Sequence, residues 1–343
     1  MAVDNAAKAE KSGPKPKVMI LATGGTIAGK AAGPSDYGYK SGEFKIEDLI
    51  NAVPGIKDLA DIKGEQIVNI GSQDMNDAVW LKLAKRINEL EKSKDVDGIV
   101  ITHGTDTLEE TSYFVDLVSK GDKPVVFVGS MRPATAVSAD GPANLYNAVA
   151  VAANPTSKGR GALVVLNDSI HDARNVVKTN TTNVEAFQSN NRGPEGLINS
   201  GKIKWLDEQP GEKHEHKSKF DVAALEQLPR VDIIYAHANM SPDLITSAVK
   251  NGAKGLVIAG VGDGNMTQPA QDALAQAAKQ GVVVVRSTRL PQGLVLRNNE
   301  VNDDEKGFVA SSEFTPPKSR VLLQLALLKT KDPKKIQELF NIG

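Results

Sequence analysis

The chain has 343 residues, 40% of them hydrophobic, with 41 Lys and Arg against 42 Asp and Glu for a formal net charge of −1. That length suits about two domains, and the balanced charge argues against a nucleic-acid partner. Cysteine is absent, which excludes disulfides, thiolate catalysis and cysteine metal sites together, and no apolar run approaches the length of a membrane-spanning helix.

Residues 1–17 are polar, carry Lys8, Lys11, Lys15 and Lys17, and contain no apolar h-region. They read as a disordered N-terminal segment rather than an intact signal peptide. Val18–Ala22 is an apolar, β-branched run that predicts a buried strand, and it leads directly into Thr23-Gly24-Gly25-Thr26. Lys30–Gly42 has glycines, Pro34 and no helical period, the pattern of a mobile loop or lid. A second apolar stretch, Gln66–Ile70, runs into Gly71-Ser72-Gln73-Asp74, and Val79, Leu83, Ile87 and Leu90 then keep a helical period.

Gly98–Thr102 predicts another buried strand, followed by His103-Gly104-Thr105-Asp106-Thr107 and a helix over Leu108–Val118. Pro124–Val128 and Ala162–Leu166 extend the series. Asp207–Lys219 is charged, contains proline and glycine, and has no strongly apolar residue, so it reads as a linker. Beyond it lie strand-like runs at Val231–Ala236, Gly255–Ala259 and Val282–Val285, with an alanine-rich helix over Ala270–Ala278 after Pro269. Strands alternating with helices predict an α/β fold of doubly wound, largely parallel sheets. The expected division is a larger N-terminal domain over 18–206, the linker 207–219 and a smaller C-terminal domain over 220–343.

Both Thr-Gly loops fall at carboxyl ends of strands, where open α/β sheets bind ligands. Thr26 is a candidate nucleophile, and Gly24 and Gly25 let main-chain N–H groups approach an oxyanion; a plain strand-to-loop turn explains the same residues equally well. Thr105, Asp106 and Thr107 also suit helix capping. Ser72 with the N–H groups of a helix start suits a carboxylate, or again a cap. Lys178 is a candidate base if its surroundings lower its pKa from about 10.4, although most lysines are solvated. His103 reads as a packed strand-end residue, and Glu300 sits in a polar run.

Two rival readings stand beside these. Gly24–Lys30 spells most of a phosphate-binding loop, but Ala31 replaces the hydroxyl that would hold Mg²⁺ and no long helix can start there. Gly260–Asn265 fits a dinucleotide fingerprint only loosely, with its third glycine misplaced. His214-Glu215-His216 lacks the spacing of a zinc-protease helix, and there is no nucleophile-elbow serine motif.

Taken together, Thr23–Gly29 (TGGTIAG), Gly71–Asp74 (GSQD), His103–Thr107 (HGTDT), Ser130–Pro133 (SMRP), Ser138–Gly141 (SADG), Lys178–Thr182 (KTNTT) and Phe308–Ser311 (FVAS) resemble bacterial type II L-asparaginases in order and spacing from about Lys17 onward. The resemblance implies hydrolysis of L-asparagine to L-aspartate and ammonia through a threonine acyl-enzyme, without metal or cofactor. It implies Thr26 as nucleophile, Tyr39 as its polarising or deprotonating partner, and Thr105, Asp106 and Lys178 as a second hydroxyl–carboxylate–lysine set. The N–H groups of Gly25 and Thr105 would hold the oxyanion. Gly71, Ser72 and Gln73 would line the substrate pocket, with Ser72 on the α-carboxylate and Gln73 and Asp106 on the α-ammonium. Glu300 and Asn265 would come from a neighbouring subunit of an intimate dimer, two of which form a tetramer. Gln292–Asn298 (QGLVLRN) and Ser130 lean towards the glutaminase-asparaginase branch, implying secondary L-glutamine hydrolysis. Asp263 stands where many relatives carry asparagine. The type II branch implies a periplasmic or secreted protein, with no nucleic acid or membrane partner. The competing classes are a non-enzymatic amino-acid-binding protein and a P-loop-like nucleotide enzyme.

Overall fold

The computed structural model describes residues 13–31, 39–40, 46–206 and 220–342. In chain order its strands are β1 (Lys17–Gly24), β2 (Lys30–Ala31), β3 (Tyr39–Lys40), β4 (Asp61–Ile70), β5 (Gly98–Thr102), β6 (Val125–Val128), β7 (Ala162–Leu166), β8 (Ser169–Asp172), β9 (Val177–Lys178), β10 (Phe187–Gln188), β11 (Gly196–Asn199), β12 (Lys202–Trp205), β13 (Val231–Tyr235), β14 (Gly255–Gly260), β15 (Val283–Thr288) and β16 (Phe308–Ala310). Eight of them form one sheet in the order β12-β11-β8-β7-β6-β5-β1-β4, and β13-β14-β15-β16 form a second.

The five strands from β4 to β7 pair in parallel, as do all four of the smaller sheet. Their residues are apolar on both sides because both faces of a parallel sheet are covered; every residue of β5, β6 and β7 is buried. One face of the larger sheet, with Leu21, Ile99 and Ile101, packs on Trp80 and Phe114 from the helices Asp77–Lys92 and Leu108–Val118. The other face, with Ile20, Val100 and Val126, packs on Leu145, Ala148 and Val149 of helix Gly141–Ala153. The first core continues into Phe314 and into Val321, Leu322 and Leu325 of helix Pro316–Ala326, and from there to Val257 and Val285 of the smaller sheet. The two sheets therefore share a core.

The order β4-β1-β5 positions the site. Ala22 pairs with Thr102, and Gly24 pairs with Ile70. The chain thus leaves three adjacent strands at one end of the sheet, through the loops that begin at residues 25, 71 and 103. The Thr23 hydroxyl donates to the Thr102 carbonyl at 2.9 Å and ties two of these exits together.

The doubly wound, largely parallel expectation holds, with an addition. The edge β8-β11-β12 is antiparallel, and its short strands were not anticipated. Of the expected lid Lys30–Gly42, β2 and β3 pair antiparallel, with Lys30 opposite Lys40 and Ala31 opposite Tyr39; residues 32–38 and 41–45 lie outside the described residues. So do residues 1–12 of the expected disordered segment, the linker 207–219 with its His214-Glu215-His216, and residue 343. No helix among the described residues is long and apolar enough to cross a membrane.

Candidate active site

Gly25 has φ +82° and initiates a single 3₁₀ turn, Thr26–Ala28. A Cβ on Gly25 would lie 2.4 Å from both Cα and N of Gly104, and a Cβ on Gly104 would lie 2.6 Å from Ser72 Oγ. Glycine is required at both positions because the backbones of Gly25 and Gly104 meet there, against the Ser72 side chain. Thr26, Ser72 and Thr105 are each buried at this meeting point.

The threonine, serine and aspartate of these loops do not serve as ordinary helix caps. The hydroxyl of Thr107, at the N-cap of helix Leu108–Val118, makes no cap bond and donates instead to the Ser72 carbonyl at 2.8 Å. The Asp106 N–H donates to Ser72 Oγ at 3.1 Å. With its oxygen accepting from Asp106, the Ser72 hydroxyl keeps its own proton to donate. The following helix Asp77–Lys92 is capped by Asn76, whose side chain accepts from Val79 N, so Ser72 is not needed for that task.

Lys178 reaches this end of the sheet from β9. Its Nζ lies 3.0 Å from Thr105 Oγ1 and 2.7 Å from Asp106 Oδ1. The lysine side chain is 16% exposed while that of Asp106 is 60% exposed. The Asp106 carboxylate therefore faces both the partly buried ammonium and the open side. The Thr105 N–H has no acceptor among the described residues, whereas Gly25 N–H donates to the Ile70 carbonyl at 3.1 Å.

The remaining expected residues are placed as follows. Gly71 and the exposed Gln73 belong to the Ser72 loop, and a Cβ on Gly71 would meet the Gln73 amide at 2.4 Å. Tyr39 pairs through its backbone with Ala31, and its side chain lies outside the described residues. Asn265 and Glu300 lie on the smaller sheet's side and bond to each other, Asn265 Nδ2 donating to Glu300 Oε2 at 2.5 Å. Among the described residues, neither shares a hydrogen bond or ion pair with residues 72, 105 or 106. Asp263, the extra carboxylate, accepts from Leu296 N and Asn299 Nδ2, each at 2.8 Å.

His103 is fully buried, as expected for a strand-end residue, and burial lowers its pKa to about 4. Its Nδ1 donates to the Gly104 carbonyl at 2.7 Å. The phosphate-loop reading fails on geometry: Lys30 and Ala31 form a strand where that reading needs the first turn of a helix. In the loop Gly260–Asn265, the main chain closes on itself between Val261 and Asn265 at 2.8 Å. Its carbonyls accept from Arg286 and Thr288, which leaves no dinucleotide cradle.

Two buried charged residues next to Lys178 were not singled out by sequence. Glu109 accepts the backbone N–H of Lys178, and Lys318 of helix Pro316–Ala326 points into the same region. A glutamate in a first helical turn looks like an ordinary dipole partner, and a lysine after two prolines carries no signal of burial.

The chain matches the family model described as Asparaginase, N-terminal over residues 17–211 and that of the Glutaminase/Asparaginase C-terminal domain over residues 230–340. It is 55% identical to L-asparaginase 2 of Escherichia coli (strain K12) over 327 residues, covering 95% of this chain and 93% of that protein. It is 54% identical to a protein named probable L-asparaginase periplasmic from Haemophilus influenzae, over 95% of this chain and 93% of that one. A glutaminase-asparaginase of Pseudomonas fluorescens biotype A is 45% identical over 94% of this chain and 89% of its own length. With both family domains in sequence and such identity across nearly the whole chain, the protein belongs to the asparaginase family.

Proposed function

We propose that this enzyme hydrolyses the side-chain amide of L-asparagine to L-aspartate and ammonia through an ester on Thr26, and hydrolyses L-glutamine as a secondary substrate. The observation that carries the reading is the Lys178 ammonium shared between Thr105 Oγ1 and Asp106 Oδ1 at 3.0 and 2.7 Å, on the loop that touches Gly25. An activated hydroxyl, a proton carrier and an amino-acid clamp are then in one place.

In this reading Thr26 Oγ1 attacks the amide carbon and its proton passes to the departing nitrogen, by way of Tyr39 or of the Thr105–Lys178–Asp106 set. The Thr105 N–H holds the oxyanion. Gly25 N–H joins it by sharing or releasing its bond to Ile70. Ammonia leaves, water attacks the ester carbon, and aspartate is released with Thr26 reprotonated. Ser72 donates its hydroxyl proton to the α-carboxylate. The open side of Asp106 and the Gln73 amide receive the α-ammonium, and Gly71 fixes the turn that presents them. Glu300 and Asn265, already paired, complete the clamp of a second copy, so the active unit is an intimate dimer and the assembly a tetramer of two. One extra methylene is worth only about 1–3 kcal/mol in discrimination, which supports dual use of asparagine and glutamine, as do the glutaminase-asparaginase relatives. A periplasmic site follows the naming of the Haemophilus relative.

The test is ammonia release from L-asparagine and L-glutamine by the native protein and by Thr26→Ala, each with and without chelator. The expected result is release from both substrates, asparagine the faster, indifferent to chelator and lost in the variant. Near-native turnover by Thr26→Ala overturns the acyl-enzyme. Binding without ammonia would mark an amino-acid carrier, and loss in chelator a metal-dependent nucleotide enzyme.

A further inference from the structure

Beneath the Lys178–Thr105–Asp106 contact lie the two charged side chains that this reaction does not use. Glu109, in the first turn of helix Leu108–Val118, is 8% exposed, and Lys318, in the first turn of helix Pro316–Ala326, is 1% exposed. The Glu109 carboxylate accepts the main-chain N–H of Lys178 at 2.6 Å. The Lys318 ammonium donates to the Ala173 carbonyl, lies 3.5 Å from the Glu109 carbonyl oxygen and stands 5.3 Å over the ring of Tyr113. It therefore bridges the first turn of one helix and the segment that leads into β9.

Lys178 needs such a support. β9 is two residues long and pairs only with β10, in a ribbon separate from both main sheets. Its Nζ must nevertheless meet Thr105 and Asp106 at hydrogen-bond distance, and a 1 Å misplacement in an active site can cost about 10²-fold in rate. A charge-assisted bond to a buried carboxylate is a strong way to hold a main-chain N–H.

We propose that Glu109 and Lys318 form a positioning pair that sets the main-chain place of Lys178, so that docking of helix Pro316–Ala326 against helix Leu108–Val118 completes the site. The inference rests on the proposed role of Lys178. Its physical logic is charge. A buried carboxylate without a counter-ion takes up a proton, and a protonated carboxyl is the poorer acceptor for the Lys178 N–H. Burial already raises the Glu109 pKa, and the ammonium groups of Lys318 and Lys178 oppose that rise. Burial lowers the Lys318 pKa to about 8, against the pull of Glu109, Asp172, Asp116 and Glu110. Glu110 in turn faces Arg320 at 3.9 Å.

The experiment compares Lys318→Met, Glu109→Ala, the double variant Glu109→Gln with Lys318→Met, and Lys178→Met in the full-length protein. Each is assayed for kcat, KM and the pH dependence of kcat on L-asparagine. Lys318→Met is expected to lose about 10–100-fold in kcat with KM nearly unchanged, and to gain an acid limb reaching towards neutral pH as Glu109 protonates. The double variant keeps an amide oxygen for the Lys178 N–H and needs no counter-ion. It is expected to recover about tenfold of that loss and to lack the new limb. A merely structural role predicts lower thermal stability, an unmoved pH profile and no rescue, and that result overturns the proposal. If Lys318→Met does not fold, Glu109→Ala decides alone: kcat within about threefold of native overturns the pair, and a loss of about 10–100-fold with constant KM supports it. Native activity in Lys178→Met strikes the reading of Lys178 itself, whereas loss in Lys178→Met without loss in Glu109→Ala strikes the positioning pair only.

Discussion

The main chain of Gly25 lies so near Gly104 that a methyl group added to Gly25 would sit 2.4 Å from the Gly104 Cα. The loop of the proposed nucleophile and the loop of Thr105 are thus in backbone contact. Replacing Gly25 by alanine adds a left-handed φ of +82° for a residue with a side chain to a clash that neither backbone can relieve. Gly25→Ala is expected to lose about 1–3 kcal/mol of stability and about 10²-fold or more of kcat as the loops separate. Gly159 has φ +73° and nothing within 4 Å of an added Cβ. Gly159→Ala is therefore the control, with a small loss of melting temperature and native activity. Equal activity in the two variants would show that the loop contact does not matter to turnover.

Lys178 is the group whose removal separates a working Thr105–Lys178–Asp106 set from a decorative one. Lys178→Met keeps the apolar stem and deletes the ammonium that reaches Thr105 at 3.0 Å and Asp106 at 2.7 Å. A positioned proton carrier contributes about 10²–10⁴-fold, and a loss of that size in kcat is expected. Binding is expected to change far less, because Ser72 and its bond from Asp106 N are untouched. Steady-state kinetics decide it, and turnover within about threefold of native would remove Lys178 from the chemistry.

Much of this arrangement was legible in the chain, for identifiable reasons. Strands such as β5 (GIVIT) are buried on both faces and so read as continuous apolar runs. β11 carries the alternation of a half-buried strand, but over only four residues, too few to register as a period. Residues 72 and 105–107 have the composition of helix caps, and nothing local distinguishes a threonine that caps from one that reaches across to Ser72. Family resemblance broke that tie, and the bond from Thr107 to the Ser72 carbonyl gives the physical reason. Glu109 and Lys318 were invisible because their partnership spans 209 residues and depends on which helix docks where.

Two buried histidines predict a pH dependence of stability. Burial lowers the pKa of His103 and of His171 from 6.5 to about 4. The unfolded chain therefore binds more protons than the native one between those values, and stability rises with pH there. The contribution is fully present above pH 6.5 and is lost as pH falls towards 4. Unfolding midpoints in denaturant should drop steadily from pH 7 to 5.5, before most carboxylates titrate. His171 Nδ1 and Ser189 Oγ are 2.9 Å apart, so His171→Asn keeps a polar partner and removes one titration. Its midpoint should vary with pH about half as steeply as native over that range. An unchanged slope in the variant would mean that His171 is not held neutral by burial.

The pair Arg286–Asp303 ties the loops of the two residues expected to serve a neighbouring subunit. Both side chains are fully buried, with Nε to Oδ1 at 2.6 Å and Nη2 to Oδ2 at 2.8 Å. The same guanidinium donates to the carbonyls of Asp263 and Leu296, and Asp303 accepts from Asn298 N. The ion pair therefore fixes the turn before Asn265 and the segment before Glu300. Asp303→Leu alone strands a buried cation and is expected to cost about 3–5 kcal/mol. Adding Arg286→Met removes the orphaned charge and should restore much of that stability, since buried pairs are often replaceable by apolar residues of similar volume. It does not restore the donors to the Asp263 and Leu296 carbonyls. Accordingly the double variant should be stable yet show a raised KM for asparagine, with kcat less affected, because Glu300 and Asn265 are no longer held. If its KM returns to the native value along with its stability, packing alone positions these loops and the guanidinium is dispensable.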